Sequence, residues 1–479
     1  MPATGAVDKN CGGKTPLPSS ILIVGGGVFG LSTALALATR HHSGKITLID
    51  SSPTIPNPHG SSVDSSRIIR ADYAREPYAK LAATAIEKWR STDWGREGRY
   101  TQNGLLLVSS NRHKFGVEYV KSSYDNVKAI YGDAVEALPT KEAVANVVPG
   151  YGTAEHVTGG YVNWGSGWAH AEEGVRFAKK KLDETGKVDI RTGEVVKLLS
   201  VLENGERNGK QWKVTGVQLA DGTSITADLV ILATGAWTGR LVDLRDKAQA
   251  TGQVLSYIRI SDEEQAKLAN MPTVLNFSTG MFIIPPRNNV LKIARHAYGY
   301  RNPKPVPVPL STQQSNHEAT TTVEVSLPEK DAPIPLEGER ACRTALREML
   351  PAFANRPFIK TRICWYTDTP EGDFIITHHP THNGLFLATG GSGHAYKFLP
   401  VIGEKVVDAI QGCLDPELAA LWSWPTGSQH EGEGEGADKG EEGSIVWTED
   451  GSRSGEKGLV LAEELAKGKN GEMVTGSKL

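Results

Sequence analysis

The chain has 479 residues, a length that excludes a mini-protein and fits several domains or one large α/β assembly. Hydrophobic residues make up 39% and charged residues 22%, which is an ordinary balance for a globular protein. With 52 Lys and Arg against 55 Asp and Glu the net charge is −3, so the chain has no positive field that would hold nucleic acid or anionic lipid.

The four cysteines are far apart and form no Cys-x-x-Cys pair, which argues against a disulfide framework and against a zinc site. They are Cys11, Cys342, Cys364 and Cys413. We therefore expect a reducing compartment and no metal ion. No apolar stretch reaches the length of about 18 residues that a membrane span needs, and the amino-terminal residues lack a secretory signal, so we expect no membrane partner.

The carboxyl-terminal part of the sequence differs in composition from the rest. From Thr426 onward it is rich in Gly and acidic residues, which predicts a flexible tail over 426–479. The last three residues, Ser477-Lys478-Leu479, match the tripeptide that directs import into peroxisomes. The sequence therefore predicts a peroxisomal location, with the peroxisomal import receptor as a partner.

The first predicted unit of structure is a strand, a tight turn and a helix. Ile21–Val24 is a continuous apolar run that stops at Gly25, and an apolar, Ala-rich helical pattern follows over Leu31–Thr39. A second apolar run, Ile46–Ile49, ends at Asp50. Together these segments predict a βαβ unit.

Three glycines at this turn follow the spacing Gly-x-Gly-x-x-Gly. They are Gly25, Gly27 and Gly30, and Asp50 comes twenty residues after Gly30. In that arrangement the glycines let a pyrophosphate approach the helix N-terminus, and the carboxylate can accept a hydrogen bond from a ribose hydroxyl. Two serines follow the acid where a 2′-phosphate would require Arg, so the motif predicts a dinucleotide other than NADP.

Further strands and helices are predicted along the chain. The nearly all-apolar runs Ala227–Ala233 and Leu385–Ala388 predict strands that are buried on both faces. The helical patterns cover Pro77–Arg90, Ala171–Leu182 and Glu339–Leu350. Proline-containing Asn302–Leu310 and Leu327–Leu336 predict extended connectors rather than regular structure.

Two later turns bear on the choice between NAD and FAD. The turn after Ala227–Ala233, which contains Gly235, looks like the second adenine-dinucleotide turn of FAD-dependent oxidoreductases. The turn after the last apolar run contains Gly391, Gly393 and Lys397, and looks like the strand-to-helix turn over the flavin ring of those enzymes. The resemblance implies FAD as the cofactor.

The segment Arg362–Pro370 resembles a cysteine segment of one family in particular, the monomeric sarcosine oxidase and fructosyl amino acid oxidase (amadoriase) family, which includes pipecolate and saccharopine oxidases. In that family the thiol is bonded to the 8-methyl carbon of the flavin. The resemblance therefore implies FAD attached covalently through Cys364, although a free cysteine is more commonly buried and inert. The likeness extends over nearly all of residues 20–425.

Two other segments resemble the substrate site of this family. Ser392–Phe398 resembles its SGHxxKF turn, whose lysine, Lys397 here, binds the substrate carboxylate. Ser66–Arg70 resembles its TRIIR segment, whose second arginine, Arg70 here, shares that carboxylate, while Arg67 lies by the flavin. A guanidinium and an ammonium can hold a desolvated carboxylate by charge-assisted hydrogen bonds.

The segment Leu291–His296 resembles the strand that carries the oxidase lysine of the family. The resemblance implies that Lys292 stabilises the negative charge that develops on oxygen as it takes its first electron. It also places His296 at a further position of the pocket. Tyr366, which lies beside the cysteine anchor, is expected to form an apolar wall for the substrate.

The family resemblance implies an α/β fold with a Rossmann-like FAD-binding domain and a discontinuous β-sheet substrate domain. The FAD-binding domain is expected at 18–75, 155–240 and 355–425, and the substrate domain at 76–154 and 241–354. We expect a monomer.

Together the motifs predict an FAD-dependent oxidase of a secondary amino acid, of N-alkyl, N-methyl or cyclic type such as sarcosine, pipecolate or saccharopine. The enzyme would oxidise the C–N bond to an imine and reduce oxygen to hydrogen peroxide. Because Trp168 and His170 look amadoriase-like whereas Cys364-Trp-Tyr366 looks sarcosine-oxidase-like, an amadoriase is an alternative. A fungal tailoring oxidase of N-methyl amino acids, a flavin dehydrogenase and a catalytically silent flavoprotein are the others.

Overall fold

The architecture comes from a computed structural model. It describes residues 13–40, 43–110, 113–154, 156–205, 209–310, 322–425 and 445–475. The predicted peroxisomal tripeptide lies outside these residues. Within the described ranges, none of the helices combines the length and the apolar character needed to cross a bilayer.

A six-stranded sheet lies at the centre of the nucleotide-binding part. Its strands, in spatial order, are Ile375–His378, Leu385–Thr389, Leu229–Leu232, Ser20–Val24, Lys45–Asp50 and Val188–Thr192. Neighbours pair in parallel except at the first edge, where the pairing is antiparallel. The early, middle and late apolar runs of the sequence therefore meet as adjacent strands, and their prediction as buried strands is confirmed.

The helices cover the sheets and include every predicted one, with small differences at the ends. They span Val28–Thr39, Glu76–Ser91, Lys114–Tyr131, Lys141–Val147, Ala171–Thr185, Asp262–Leu268, Leu336–Met349, Ile402–Ile410, Pro416–Leu421 and Leu461–Thr475. The first helix packs closely against Ile402–Ile410, since a Cβ on Gly403 would lie 1.9 Å from the carbonyl oxygen of Ser32. Helix and sheet thus form one buried layer behind the glycine-rich turn.

An eight-stranded, mostly antiparallel sheet carries most of the other predicted site residues. Its strands, in spatial order, are Phe358–Asp368, Gln249–Arg259, Val290–Arg295, Met281–Arg287, Thr273–Asn276, Leu105–Ser110, Val157–Asn163 and Val135–Leu138. In this sheet Cys364 pairs with Gln253, and Lys292 pairs with Tyr257 on the same central strand. The sheet therefore places the predicted flavin anchor and the predicted oxidase lysine two strands apart. The predicted division into two domains stays a prediction.

Three smaller sheets complete the fold. Val195–Gly205, Gly209–Leu219, Ser224–Thr226 and His382–Asn383 form one, and Arg67–Ile69, Gly167–Ala169 and Tyr100–Thr101 form the second. The third pairs Pro303–Pro307 with Thr322–Ser326. The prediction of an irregular connector over Asn302–Leu310 is therefore wrong for its first half, because alternate prolines leave the N–H groups of the residues between them for the ladder.

The prediction of a flexible tail is also wrong for part of its length. We call residues 445–468 the C-terminal segment; it packs against the body of the protein before and within its helix. Its residue Arg453 is only 2% exposed. Thr448 donates to the carbonyl of Thr369 at 2.8 Å, and Arg301 donates its N–H to the carbonyl of Leu459 at 2.9 Å. Acidic and Gly-rich composition predicts solvation, but these local contacts fix the segment nonetheless.

Candidate active site

The glycine-rich turn has the geometry that its sequence predicts. Gly25 has a φ of +104°, and its N–H donates to the carbonyl of Ile49 at 2.8 Å. A Cβ on Gly30 would lie 1.9 Å from the carbonyl oxygen of Gly25, so only glycine allows the helix to start this close to the strand. The Asp50 carboxylate accepts from the N–H of Gly26 at 2.7 Å, which fixes it at the mouth of the turn.

A cavity of about 640 Å³ extends from this turn toward the eight-stranded sheet. Every glycine predicted to bind the cofactor except Gly30 lines it, and the lining includes Gly25, Gly27, Asp50, Gly235, Gly391, Gly393, Arg67 and Tyr366. The length of the lining, from a helix N-terminus and a ribose-binding carboxylate to aromatic walls, fits an adenine dinucleotide. The donor set therefore fits FAD. Held there, FAD would supply hydride-accepting chemistry at the end of the cavity near Tyr366.

Cys364 lies at the far end of this cavity, next to Arg67. The thiol is 2% exposed, and Nη2 of Arg67 lies 3.4 Å from Sγ. Gly393 borders the same place with a φ of +69°, and a Cβ there would lie 2.3 Å from the ring of Tyr366. A guanidinium beside a thiol favours its thiolate form, which is the nucleophile needed for bonding to a cofactor.

A smaller pocket of about 60 Å³ adjoins the large cavity at Arg67, Tyr366 and Gly393. Its apolar side comes from Ile68, Leu255, Leu275, Phe282 and Ala294, and its polar side includes Arg70, His296 and Lys397. The structure thus brings together at one point all the residues predicted to bind substrate, together with Cys364. Lys292 is the exception among the predicted catalytic residues, because it does not line this pocket.

Two buried cations face the small pocket. Arg70 is 5% exposed, and in the part of the chain that the structure describes its Nη1 has no hydrogen-bond partner. Lys397 Nζ donates to the hydroxyl of Tyr73 at 2.7 Å. Tyr73 in turn bonds to Nδ1 of His394 at 3.0 Å. Burial, together with the charge of Arg70, lowers the pKa of Lys397 well below its ordinary value, so an anion in the pocket would stabilise its protonated form.

Behind Arg67 lies a carboxylate that sequence reasoning missed. Asp64 accepts from Nζ of Lys292 at 2.6 Å and from the hydroxyl of Tyr257 at 2.8 Å, and it also pairs with Arg67. Burial alone would raise the pKa of Asp64, but the charges of Lys292 and Arg67 outweigh it and hold this pKa well below its usual range. Burial lowers the pKa of Lys292 to about 8, although Asp64 opposes this effect.

A second missed residue comes from the C-terminal segment. Arg453 pairs with Asp368 at 2.5 Å, and its Nη1 lies 2.7 Å from Nδ1 of His296. Asp64 has a weak signal in the sequence, since it comes three residues before Arg67. For Arg453 the one signal is a basic residue between glycines in an acidic stretch, and the surrounding composition points the other way.

Comparison with known proteins agrees with this geometry. The family model described as FAD dependent oxidoreductase matches residues 20–409. The amino acid oxidase imqH of Aspergillus flavus is 33% identical over 87% of this chain and 99% of its own. L-saccharopine oxidase of Schizosaccharomyces pombe is 30% identical over 85% and 93% of the two chains.

Among solved structures, the fructosamine oxidase of Aspergillus fumigatus (Amadoriase II), in complex with FSA, aligns with a TM-score of 0.71. Its identity is 28%, over 85% of this chain and 89% of that one. Fold, glycine-rich turn and sequence likeness agree over the same residues. The chain therefore belongs to the FAD-dependent oxidoreductase family.

Proposed function

We propose that the protein is an FAD-dependent oxidase of a small secondary L-amino acid, of N-methyl, N-alkyl or cyclic type. The observation that carries this proposal is the pair of buried cations, Arg70 and Lys397, at a small apolar pocket beside Cys364. Two cations that converge in a closed pocket repel each other unless an anion joins them. The substrate therefore carries a carboxylate, held between the guanidinium and the ammonium.

The remaining walls of the pocket select the rest of the substrate. Leu255, Leu275 and Phe282 present apolar surface, which suits the carbon body of an N-alkyl or ring-closed amino acid. The size, about 60 Å³, also favours a compact substrate over a glycated amino acid with its chain of hydroxyl groups. These walls orient the α-carbon toward the large cavity, where bound FAD accepts the hydride and passes its electrons to oxygen.

The residues around Cys364 support a covalent cofactor. Cys364 is buried at the junction of the two cavities, within hydrogen-bonding distance of the Arg67 guanidinium. We propose that its sulfur holds FAD covalently. The alternative, an inert buried cysteine, would leave the cofactor free to dissociate on denaturation.

Lys292 supports the oxidase rather than the dehydrogenase assignment. It is 2% exposed, and its ammonium lies between Asp64 and the carbonyl of Ser66, behind Arg67. A buried, fixed positive charge near the reaction centre stabilises the negative charge that develops on oxygen. Hydrogen peroxide is the expected product.

An anaerobic screen tests the proposal. The purified holoenzyme is mixed with N-methyl, cyclic and glycated amino acids, and the loss of flavin absorbance is followed. We expect secondary amino acids to bleach the flavin fastest, with oxygen consumption and peroxide yield matching on admission of air. Faster reduction by fructosyl-valine or fructosyl-lysine would identify an amadoriase instead. Bleaching without oxygen consumption would identify a dehydrogenase, and no bleaching by any amine would identify a silent flavoprotein.

The location and assembly of the protein stay predictions. A peroxisomal address on Ser477-Lys478-Leu479 suits an enzyme that releases hydrogen peroxide, because catalase is found in the same compartment. The import receptor is the corresponding partner, and we propose a monomer.

A further inference from the structure

The C-terminal segment reaches the back of the substrate pocket. His296 lines the pocket, and behind it stand Ser452 and Arg453 of the segment. Nη1 of Arg453 lies 2.7 Å from Nδ1 and 3.0 Å from Nε2 of His296, and the guanidinium lies 5.3 Å from the ring centroid of Tyr366. Arg453 therefore contacts two of the residues that form the polar wall of the pocket.

This arrangement requires His296 to be neutral. A guanidinium has only donors, and a protonated imidazole also donates at both ring nitrogens. The short contact from Arg453 is therefore a hydrogen bond only if the nearby nitrogen of His296 carries a lone pair. The other nitrogen of the neutral ring then bears the proton, so the same contact also fixes the tautomer.

Other groups around His296 act in the same direction. Arg70 and Lys397 approach it across the pocket, His394 from the Gly-rich turn, and Tyr366 bonds weakly to Nδ1 at 3.5 Å. Burial, and after it the charge of Arg453, holds the pKa of His296 well below its ordinary value. Among the surrounding charges, that of Arg453 has the largest effect.

Arg453 is itself fixed from behind. Its Nη2 donates to Asp368 at 2.5 Å and to the carbonyl of Ser392 at 3.0 Å, and Asp368 also accepts from the hydroxyl of Thr251. Both Arg453 and Asp368 are 2% exposed. The guanidinium can therefore hardly turn away from His296 without leaving a buried carboxylate unpaired.

We propose that Arg453 is a positioning residue of the active site, through which the C-terminal segment holds His296 neutral and in one orientation behind the substrate. The segment lies beyond residues 20–409, which the family model matches, so this is a feature of the chain outside its family core. The inference rests on the proposed function in that it assigns the pocket to an anionic substrate.

Proton uptake on anion binding provides the test. Cyclopentanecarboxylate, which cannot be oxidised as an amine, is titrated into the holoenzyme between about pH 5.5 and 8.5, and the flavin absorbance reports binding. The slope of the logarithm of the dissociation constant against pH counts the protons taken up. We expect a slope of at most one in the wild type, because Lys397 is the one group that gains a proton.

Arg453→Gln keeps a hydrogen-bond donor for Asp368 but removes the charge. In this variant we expect a second proton to be taken up below roughly pH 6.5, the ordinary range of histidine, so the slope approaches two. Adding His296→Asn should return the slope to one, and Arg453→Lys should keep the wild-type slope. Lys457→Met, on the exposed part of the same segment, is the matched control and should change nothing.

Flavin content and the thermal midpoint report folding of each variant. If Arg453→Gln loses flavin, Arg453→Gln with Asp368→Asn leaves no unpaired buried charge and is measured instead. A folded variant with the wild-type slope overturns the proposal. Loss of flavin in both Gln variants, with Arg453→Lys intact, also overturns it in favour of a purely structural ion pair. If no amine bleaches the flavin, the proposed function fails, but the proton count still decides the role of Arg453.

Discussion

Replacing Asp64 by Asn should change the pH dependence of the reaction with oxygen. The pKa of Lys292 is about 8, so the wild-type rate should fall as the pH rises above that value and the ammonium loses its proton. Asp64 is the one carboxylate in contact with this ammonium among the residues that the structure describes, at 2.6 Å. Asparagine keeps a hydrogen-bonding oxygen but removes the negative charge, and therefore lowers the pKa of Lys292 further.

The magnitude follows from the distance. At 2.6 Å and an effective dielectric constant of about 20, the attraction between Lys292 and Asp64 is ~6 kcal/mol. If relaxation leaves only a third of it, ~2 kcal/mol, the protonation equilibrium of Lys292 shifts ~30-fold toward the neutral amine. At pH 7.5 the protonated fraction would fall from about three-quarters to about one-tenth, and the rate with it.

The assay mixes anaerobically reduced holoenzyme with oxygen in a stopped-flow instrument between pH 6 and 9.5. Asp64→Asn should move the decline in reoxidation rate to lower pH, while anaerobic reduction by substrate keeps its own pH dependence. Lys292→Met is the control, because it should slow reoxidation at every pH and remove the pH dependence. An unchanged pH profile in folded Asp64→Asn would refute the idea that this ion pair sets the charge of Lys292.

Three further predictions concern the cofactor and the substrate. Acid-denatured wild type should stay yellow and Cys364→Ala should release its flavin, as absorbance of the pellet and supernatant shows; colour lost from wild type would contradict covalent attachment. Arg70→Ala should weaken binding of a carboxylate ligand by ~2–5 kcal/mol, because a buried ion pair is lost; a titration that gives equal affinity would remove Arg70 from the site. Gly30→Ala places a methyl group 1.9 Å from a carbonyl oxygen, so the purified variant should carry little flavin and melt at lower temperature, whereas full occupancy would contradict the close turn.

The local parts of the site could be predicted from the sequence because their signals lie within about thirty residues. Strand, glycine-rich turn, helix and Asp50 form one continuous pattern, and the structure confirms each of those elements. The later strands were also predictable, because a strand buried on both faces is apolar without interruption. What the sequence could not show is which strands become neighbours, since that depends on contacts between residues hundreds of positions apart.

The missed residues share one physical reason. Asp64 and Arg453 are charged residues whose burial is possible only because distant partners neutralise them, Lys292 in one case and Asp368 in the other. Composition and periodicity assign such residues to the surface, because an unpaired charge would not be buried. Pairing is a property of the folded chain. The same reasoning explains the tail, where acidic composition predicts solvation and the buried Arg453 holds the segment in place.

The contact between Gly393 and Tyr366 limits how the substrate range of this protein can be altered. Any side chain at Gly393 would displace the tyrosine ring, which borders both cavities, so this wall cannot be remodelled without disturbing the cofactor site. The opposite wall consists of the side chains of Leu255, Leu275 and Phe282, which project from strands rather than forming turns. Shortening these three side chains enlarges the space for the substrate while the backbone stays in place. Variants selected for bulkier amines should therefore accumulate changes on that wall and leave the glycine untouched.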